Sequence, residues 1–123
     1  MNLRLAPPAL IICTDKLPEG VGGMARGPVV FIRPKYQTDV GLEEHELEHV
    51  RQWWITLGAH SILYPLCRAY RAWSETAAYK MQTQFPDRKG HFMTQSEAAV
   101  NLCWDRYDLG WTLAEAYAAV VAQ

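Results

Sequence analysis

The chain has 123 residues, of which half are hydrophobic and a fifth are charged, and its formal net charge is −1. This composition is typical of a globular protein, and we expect a single domain over residues 1–123. A surface that binds nucleic acid concentrates positive charge, so the balanced charge argues against a nucleic-acid partner. No apolar stretch is long enough to span a bilayer, so we expect no membrane partner. The sequence leaves the oligomeric state open.

The cysteines and the first residues bear on the compartment. The apolar run ALIIC is too short for a secretory signal, follows two prolines and precedes charged residues. Cys13, Cys67 and Cys103 are odd in number and widely spaced, without a C-x-x-C pair. We therefore expect reduced, mostly buried thiols and a cytoplasmic location.

The first third of the chain has the pattern of strands. The runs ALIICTD and PVVFIRP are rich in β-branched residues and predict two strands. The segment KLPEGVGGMARG between them is rich in glycine and predicts a turn or a mobile loop. The sequence therefore predicts a small N-terminal strand pair or sheet.

Helical patterns fill the remainder. Thr38 or Asp39 is suited to cap a first helix that runs from about Gly41 to Gly58, and Pro65 suits the first turn of a second, 65–84. Two capping boxes, T-x-x-E, open a third helix over 95–107 and a short fourth helix near the C-terminus. The predicted fold is α+β, with a small sheet followed by a bundle of about four helices.

The stretch EEHELEHVRQWW, residues 43–54, contains the pattern H-E-x-x-H. On a helix, His45 and His49 lie one above the other and offer two imidazoles to one ion, which zinc accepts. Glu46 points about 100° away, where it can hold a water on the metal and take its proton. The alternative interpretation is a solvated charged helix face on which the two histidines occur by chance.

A third ligand has to come from another element. Glu75 is the only acidic residue of the predicted second helix. Ala72 and Ala78 lie on its face at i−3 and i+3, and such small neighbours allow two helices to approach closely. A solvent-facing or arginine-paired Glu75 is the alternative. His60, on a connecting turn, and His91, in a loop, are weaker candidates for the third ligand.

Together, HELEH at 45–49 and ETAA at 75–78 resemble the motifs of the gluzincin class of zinc metallopeptidases. The short chain is similar to the single-domain minigluzincins, and the resemblance covers about residues 28–80. It implies a zincin-like fold in which His45, His49 and Glu75 bind zinc. It also implies that Glu46 is the general base and acid of peptide-bond hydrolysis. The run PVVFIRP looks like the rim strand against which a peptide substrate would lie.

The chain departs from that class in one position and leaves two roles open. Well-known gluzincins have an aspartate four residues after the ligand glutamate, whereas Tyr79 stands there in this chain. Asp105 is a candidate to orient a ligand histidine instead. Tyr79, Tyr70 and His91 are candidates to stabilise the oxyanion of the reaction, and Tyr79 and His91 are our predicted catalytic residues beside Glu46.

Three hypotheses follow from these patterns. The first is a zinc-dependent peptidase that acts on a peptide or protein substrate. The second is a non-catalytic scaffold or interaction protein in which a metal ties the first two helices together. The third is a metal-free helical module that presents some of its five tryptophans to a partner, although core packing is the expected role of those tryptophans.

Overall fold

The structure, a computed structural model, describes residues 2–122. The fold is α+β, as predicted: a four-stranded mixed sheet at the N-terminus precedes five α-helices. The elements in chain order are β1 (Asn2–Leu5), β2 (Pro8–Cys13), β3 (Gly23–Arg26), β4 (Val29–Ile32), α1 (Val40–Ile55), α2 (His60–Leu66), α3 (Arg68–Gln82), α4 (Gln95–Leu102) and α5 (Leu113–Val121). Two 3-10 turns, Pro34–Tyr36 and Asp105–Tyr107, lie between them.

The strand order in the sheet is β1-β2-β4-β3, so that β1 and β3 are the edge strands. β2 and β4 pair in parallel, whereas β1 with β2 and β3 with β4 form antiparallel pairs. The prediction of a rim strand at PVVFIRP is therefore wrong, because this run forms β4, which has a neighbour on both sides. The edge strand next to β4 is β3, which lies inside the glycine-rich segment predicted as a turn or mobile loop. Gly27, with a φ of 56°, allows the tight connection from β3 back to β4.

Helix α1 packs on one face of the sheet. Asp39 caps it by accepting a hydrogen bond from the Leu42 backbone N–H at 2.9 Å, as one of the two predicted caps. Alternate residues of β2 and β4 point towards α1, as the two-residue period of a strand requires. The resulting core cluster consists of Ala9, Ile11, Val30, Ile32, Leu47 and Val50.

The predicted second helix is two helices. Pro65 lies inside the short α2 rather than at the start of a long helix, and α3 begins at Arg68. Cys67 between them has an extended backbone, with φ −118° and ψ 107°, so the helix axis breaks there. The break places the residues of α2 beside α1 and α3 rather than in line with α3.

The C-terminal helices form a second core cluster against α3. Both predicted capping boxes are present, at Thr94 with Glu97 and at Thr112 with Glu115. The third predicted helix ends earlier than expected, at Leu102, and the 3-10 turn Asp105–Tyr107 follows it. Buried side chains of this cluster include Ala72, Tyr79, Ala98, Ala99, Leu102, Leu109, Ala116 and Val120.

Two expectations about burial are wrong, the first for the cysteines and the second for three of the five tryptophans. The three cysteines are free, but Cys13 is exposed and Cys67 and Cys103 are only partly buried. Trp54, Trp73 and Trp104 expose 40% or more of their surface, so core packing does not describe them. Among residues 2–122, no helix has the length and apolar character needed to cross a membrane.

Candidate metal centre

The helices α1 and α3 bring His45, His49 and Glu75 together in the interior. One possible ligand atom from each residue lies within 4.8 Å of the other two, and all three side chains are buried. The Oε1 atom of Glu75 is 3.2 Å from His45 Nε2 and 3.3 Å from His49 Nε2. The structure thus brings together the three residues predicted as ligands, and Ala72 and Ala78 are buried on the same helix as Glu75. We call these three residues the ligand cluster.

The Nδ1 side of the His49 imidazole contacts a chain of hydrogen-bonded polar groups. Its Nδ1 atom lies 3.0 Å from Ser74 Oγ and 3.3 Å from Gln52 Oε1. Gln52 in turn donates through Nε2 to the Glu48 carboxylate at 2.9 Å. Glu48 also accepts two hydrogen bonds from Arg51, at 2.7 and 2.8 Å. If Nδ1–H donates to Ser74 and Gln52, the lone pair of Nε2 faces the ligand cluster, which is the tautomer that a metal requires.

His45 has a different environment. Its Nδ1 atom is buried and has no hydrogen-bond partner among the residues that the structure describes. The ring of Tyr79 packs edge-on against the imidazole, with 4.4 Å between the ring centroids. Tyr79 therefore contacts His45 through its ring, whereas its hydroxyl lies 2.6 Å from the Tyr107 hydroxyl. An aromatic residue therefore occupies position 79, where the gluzincins have an aspartate.

The ligand cluster fits a divalent metal in its donor chemistry and spacing. Two imidazole nitrogens and a carboxylate are a common catalytic ligand set for zinc. Tetrahedral zinc with bonds of about 2.0–2.1 Å separates its ligand atoms by about 3.3 Å. The distances from the single oxygen Glu75 Oε1 to His45 Nε2 and to His49 Nε2, 3.2 and 3.3 Å, match that spacing. The oriented Nδ1 of His49 is a further feature of a metal-ligating histidine.

The charges of the cluster are coupled. Burial disfavours the ionised forms of Glu75 and His49, but the attraction between their opposite charges is the larger effect. His49 therefore holds the pKa of Glu75 far below its usual range. In the same way, burial lowers the pKa of His49, yet the Glu75 charge and hydrogen bond raise it overall, to about 9. Without a metal, the cluster is therefore an ion pair between a protonated His49 and an ionised Glu75 near pH 7.

Glu46 lies between the ligand cluster and β3. Its side chain is 6% exposed, and a methyl group added at Gly23 would lie 3.5 Å from Glu46 Oε2. Burial raises the pKa of Glu46, against the opposing effect of His45 and His49. A buried carboxylate with a raised pKa accepts a proton more readily than an exposed one, and this property suits a general base.

Two tyrosines lie beside the ligand cluster, although neither was predicted as a site residue. Tyr64, on α2, donates a hydrogen bond from its hydroxyl to Glu75 Oε2. Tyr107, at the end of the 3-10 turn Asp105–Tyr107, pairs with the Tyr79 hydroxyl. Burial raises the pKa of both tyrosines, so both remain neutral hydrogen-bond donors at ordinary pH. No local pattern marks either residue, because both reach the cluster from elements that sequence analysis did not delimit.

Two cavities meet at the cluster and together form what we call the cleft. The glycine-side cavity, of about 510 Å³, is lined by residues that include Gly20, Gly22, Tyr36, Asp39 and Met93. The arginine-side cavity, of about 460 Å³, is lined by residues that include Met24, Arg26, His60, Tyr64 and Arg106. Shared lining residues join the two cavities, namely Val21, Gly23, His45, Glu46, Trp104 and Tyr107.

Arginine side chains fasten the walls of the cleft. Arg71, on α3, donates to the backbone carbonyl of Tyr64 at 2.8 Å and to that of Tyr107 at 2.6 Å. It therefore ties both site tyrosines to α3. Arg33 donates in the same manner to the carbonyls of Leu17, Pro18 and Val21, at 2.7–3.0 Å, and holds the loop that leads into β3.

Other predicted site residues lie away from the cluster. His91 is exposed in the loop between α3 and α4, where its backbone N–H donates to Asp87. Asp105 is exposed and makes no side-chain hydrogen bond within residues 2–122, so Ser74 and Gln52 take the orienting position predicted for it. Tyr70 lines neither cavity, and its hydroxyl lies 2.7 Å from His60 Nδ1.

His60 is half-buried and belongs to a helix rather than to a connecting turn. It opens α2, and its ring centroid is 5.8 Å from that of His49. Burial and the neighbouring His49 lower the pKa of His60 to about 4, so its imidazole is neutral near pH 7. His60 is a neutral hydrogen-bonding group of the arginine-side cavity and not one of the ligand cluster.

No protein-family model matches the chain, and comparisons with curated proteins and with solved structures give no match. The relation to the gluzincins stays a prediction that rests on His45, Glu46, His49 and Glu75.

Proposed function

We propose that the protein is a zinc-dependent peptidase in which Glu46 is the general base. The observation that carries this proposal is a buried Glu46 with a raised pKa beside a cluster of three ligands. A catalytic zinc site keeps a position free of protein ligands, whereas a structural site is usually closed by four. Within the described part of the chain, the cluster consists of His45, His49 and Glu75.

Zinc held by these residues would lower the pKa of a water to about 7 and polarise the scissile carbonyl. The chain's own groups then divide the work of the reaction. Glu46 accepts a proton through its carboxylate and later donates it to the leaving amine. Tyr64 donates its single hydroxyl proton to Glu75 in the metal-free protein. When that carboxylate binds zinc, Tyr64 is free to donate this proton to a developing negative charge on the carbonyl oxygen.

The edge strand β3 supplies a place for the substrate. Its pairing with β4 on one side leaves the backbone N–H and C=O groups of its other edge without a strand partner among residues 2–122. An extended peptide can add to such an edge through main-chain hydrogen bonds. Since a methyl group at Gly23 would lie 3.5 Å from Glu46 Oε2, a peptide on β3 would pass close to the proposed catalytic carboxylate. The three free cysteines fit a reducing compartment, and we place the activity in the cytoplasm.

The depth of the cluster favours a second candidate, a non-catalytic protein that a metal stabilises. His45, His49 and Glu75 are each at most 6% exposed and link α1 with α3. Metal binding at such a position would stabilise the fold directly. This candidate makes no use of the raised pKa of Glu46 or of the open edge of β3.

The experiment that separates the candidates compares Glu46→Gln with the unchanged protein, both loaded with zinc and assayed on a mixed peptide library. We expect zinc content by mass spectrometry to be equal and hydrolysis to fall by roughly 100-fold or more. Glu44→Gln, two residues along α1, is the matched control and keeps full activity. Equal hydrolysis by Glu46→Gln would contradict the mechanism. Full zinc content without hydrolysis in any of the proteins would favour the second candidate.

A further inference from the structure

The two halves of the cleft differ in the charges that line them. The glycine-side cavity contains the carboxylates of Asp39 and Glu46 and no lysine or arginine. The arginine-side cavity contains Arg26 and Arg106 together with the carboxylates of Glu46 and Glu75. A peptide that crosses the ligand cluster would therefore meet a different charge at each end.

The two arginines come from different elements of the fold. Arg26 is the last residue of β3, where it lies opposite Val29 in the strand register. Arg106 belongs to the 3-10 turn Asp105–Tyr107, and its Cζ lies 5.9 Å from the centroid of the Trp104 ring. Both side chains are exposed, and neither forms an ion pair with a carboxylate of residues 2–122.

The net charge of the cavity becomes more positive when the proposed metal is bound. The negative charges of Glu46 and Glu75 offset the two positive charges of a zinc ion. The guanidinium groups of Arg26 and Arg106 then remain without compensation at the mouth of the same cavity. Arginine is the side chain best suited to bind a carboxylate, because its N–H groups form a planar fork that matches the two oxygens.

We propose that Arg26 and Arg106 select substrates with an acidic side chain on the N-terminal side of the scissile bond. This inference rests on the proposed peptidase function. A peptide that adds to β3 in the antiparallel direction, the more stable pairing, runs opposite to the direction from Gly23 to Arg26. Its residues before the scissile bond then lie in the arginine-side cavity, and its residues after that bond lie in the glycine-side cavity.

Peptide binding to zinc-loaded Glu46→Gln protein tests the selection without hydrolysis of the probe. The probes are two fluorescent peptides, acetylated and amidated, that differ only by glutamate or glutamine two residues before the intended scissile bond. We expect a Kd about tenfold lower for the glutamate peptide at low salt, and a smaller ratio at 0.5 M salt because salt screens exposed charges. In this background, Arg26→Gln and Arg106→Gln each reduce the ratio by about threefold, and the double change removes it.

A matched control and a third probe complete the experiment. Lys89→Gln removes an exposed positive charge in the loop between α3 and α4, lines neither cavity, and leaves the ratio unchanged. The third probe has glutamine at the tested position and a free C-terminal carboxylate. A lower Kd for the third probe than for the glutamate peptide, or equal Kd values for the first two probes, would contradict the proposed selection by Arg26 and Arg106. Neither result would contradict the proposed peptidase function. Absence of binding by all three, with zinc present, would overturn both.

Discussion

His45, Glu46 and His49 lie on one helix, whereas the walls around them come from β3, α2 and the 3-10 turn Asp105–Tyr107. The ligand cluster is buried and backed by a continuous hydrogen-bonded network through Ser74 and Gln52. The walls are partly exposed and are fastened by arginines to backbone carbonyls. The difference predicts that substitutions in the buried cluster act mainly on the proposed metal binding, whereas substitutions in the walls act mainly on the proposed hydrolysis.

The largest effect is expected at the cluster itself. Glu75→Ala removes the carboxylate that both histidines contact, so we expect zinc affinity to fall by more than about 100-fold. Isothermal titration with zinc measures this loss, and far-ultraviolet circular dichroism checks that the variant keeps its helices. Glu19→Ala, in the exposed loop before β3, is the control with unchanged affinity. Unchanged zinc binding by Glu75→Ala would remove Glu75 from the ligand cluster.

On the wall, Tyr64→Phe removes one hydroxyl and keeps the aromatic ring. If Tyr64 donates to the carbonyl oxygen of the substrate, kcat falls by about 100-fold while zinc affinity changes much less. Tyr117→Phe, at an exposed position of α5, serves as the control. A parallel loss of zinc and activity in Tyr64→Phe would place Tyr64 with the cluster rather than with the wall.

Behind the cluster, Ser74→Ala removes one acceptor of the His49 Nδ1–H and leaves Gln52 in place. We expect zinc affinity to fall by about tenfold, because the remaining contact orients the imidazole less firmly. Competition with a fluorescent zinc chelator measures the change, with Ser96→Ala on the exposed face of α4 as the control. Equal affinities in Ser74→Ala and the unchanged protein would show that the network contributes stability alone.

The raised pKa of His49 predicts a pH dependence of metal binding. Because that pKa is about 9 without metal, a proton must leave His49 when zinc binds at pH 7. Zinc affinity should therefore rise by about tenfold per pH unit from pH 7 and level off above pH 9. Titration calorimetry in buffers of different ionisation enthalpy counts the released proton, and a count near zero at pH 7 would contradict the ion pair.

The same pair predicts how the stability of the metal-free protein depends on pH. A raised histidine pKa stabilises the fold fully below the ordinary value of 6.5, and this contribution is lost as pH rises through about 9. The lowered pKa of Glu75 acts at the acidic end, where its contribution disappears only well below the usual pKa of 4.5. Chemical unfolding of metal-free protein between pH 6 and 9.5 measures the decrease in the free energy of unfolding as the pH rises.

The smallest effect is expected for Tyr79→Phe, a substitution at a position predicted as catalytic from the sequence. Its ring packs on His45, but its hydroxyl is directed to Tyr107. Removal of the hydroxyl should therefore reduce kcat by less than about tenfold and leave zinc binding intact. A loss as large as that of Tyr64→Phe would instead support the oxyanion role that the sequence suggested for Tyr79.

Local patterns were enough to predict the ligand cluster. The i, i+4 spacing of His45 and His49 defines a shared helix face without knowledge of the fold. Glu75 followed from the small residues around it, which permit close packing of α3 on α1. The capping residues Asp39, Thr94 and Thr112 were equally local, since each bonds to the backbone three residues ahead.

The walls could not be predicted because long-range contacts determine them. β3 has the sequence GMAR, which lacks the pattern of a strand and is extended because it pairs with β4. A proline is compatible with the first turn of one helix and also with the end of the helix before it. The sequence alone therefore did not show that Pro65 belongs to the short helix α2, which also contains Tyr64. Tyr107 reaches the cluster only through the packing of the C-terminal helices on α3.

The bonds made by Arg33 and Arg71 go almost entirely to backbone carbonyl oxygens, which every residue type possesses. Side chains at positions such as 17, 21 and 108 can therefore be exchanged without loss of the anchor that holds their segment. A cleft built in this manner is well suited to redesign. Its lining can be varied by combinatorial mutagenesis, while the two guanidinium groups keep the surrounding loops in place relative to His45, His49 and Glu75.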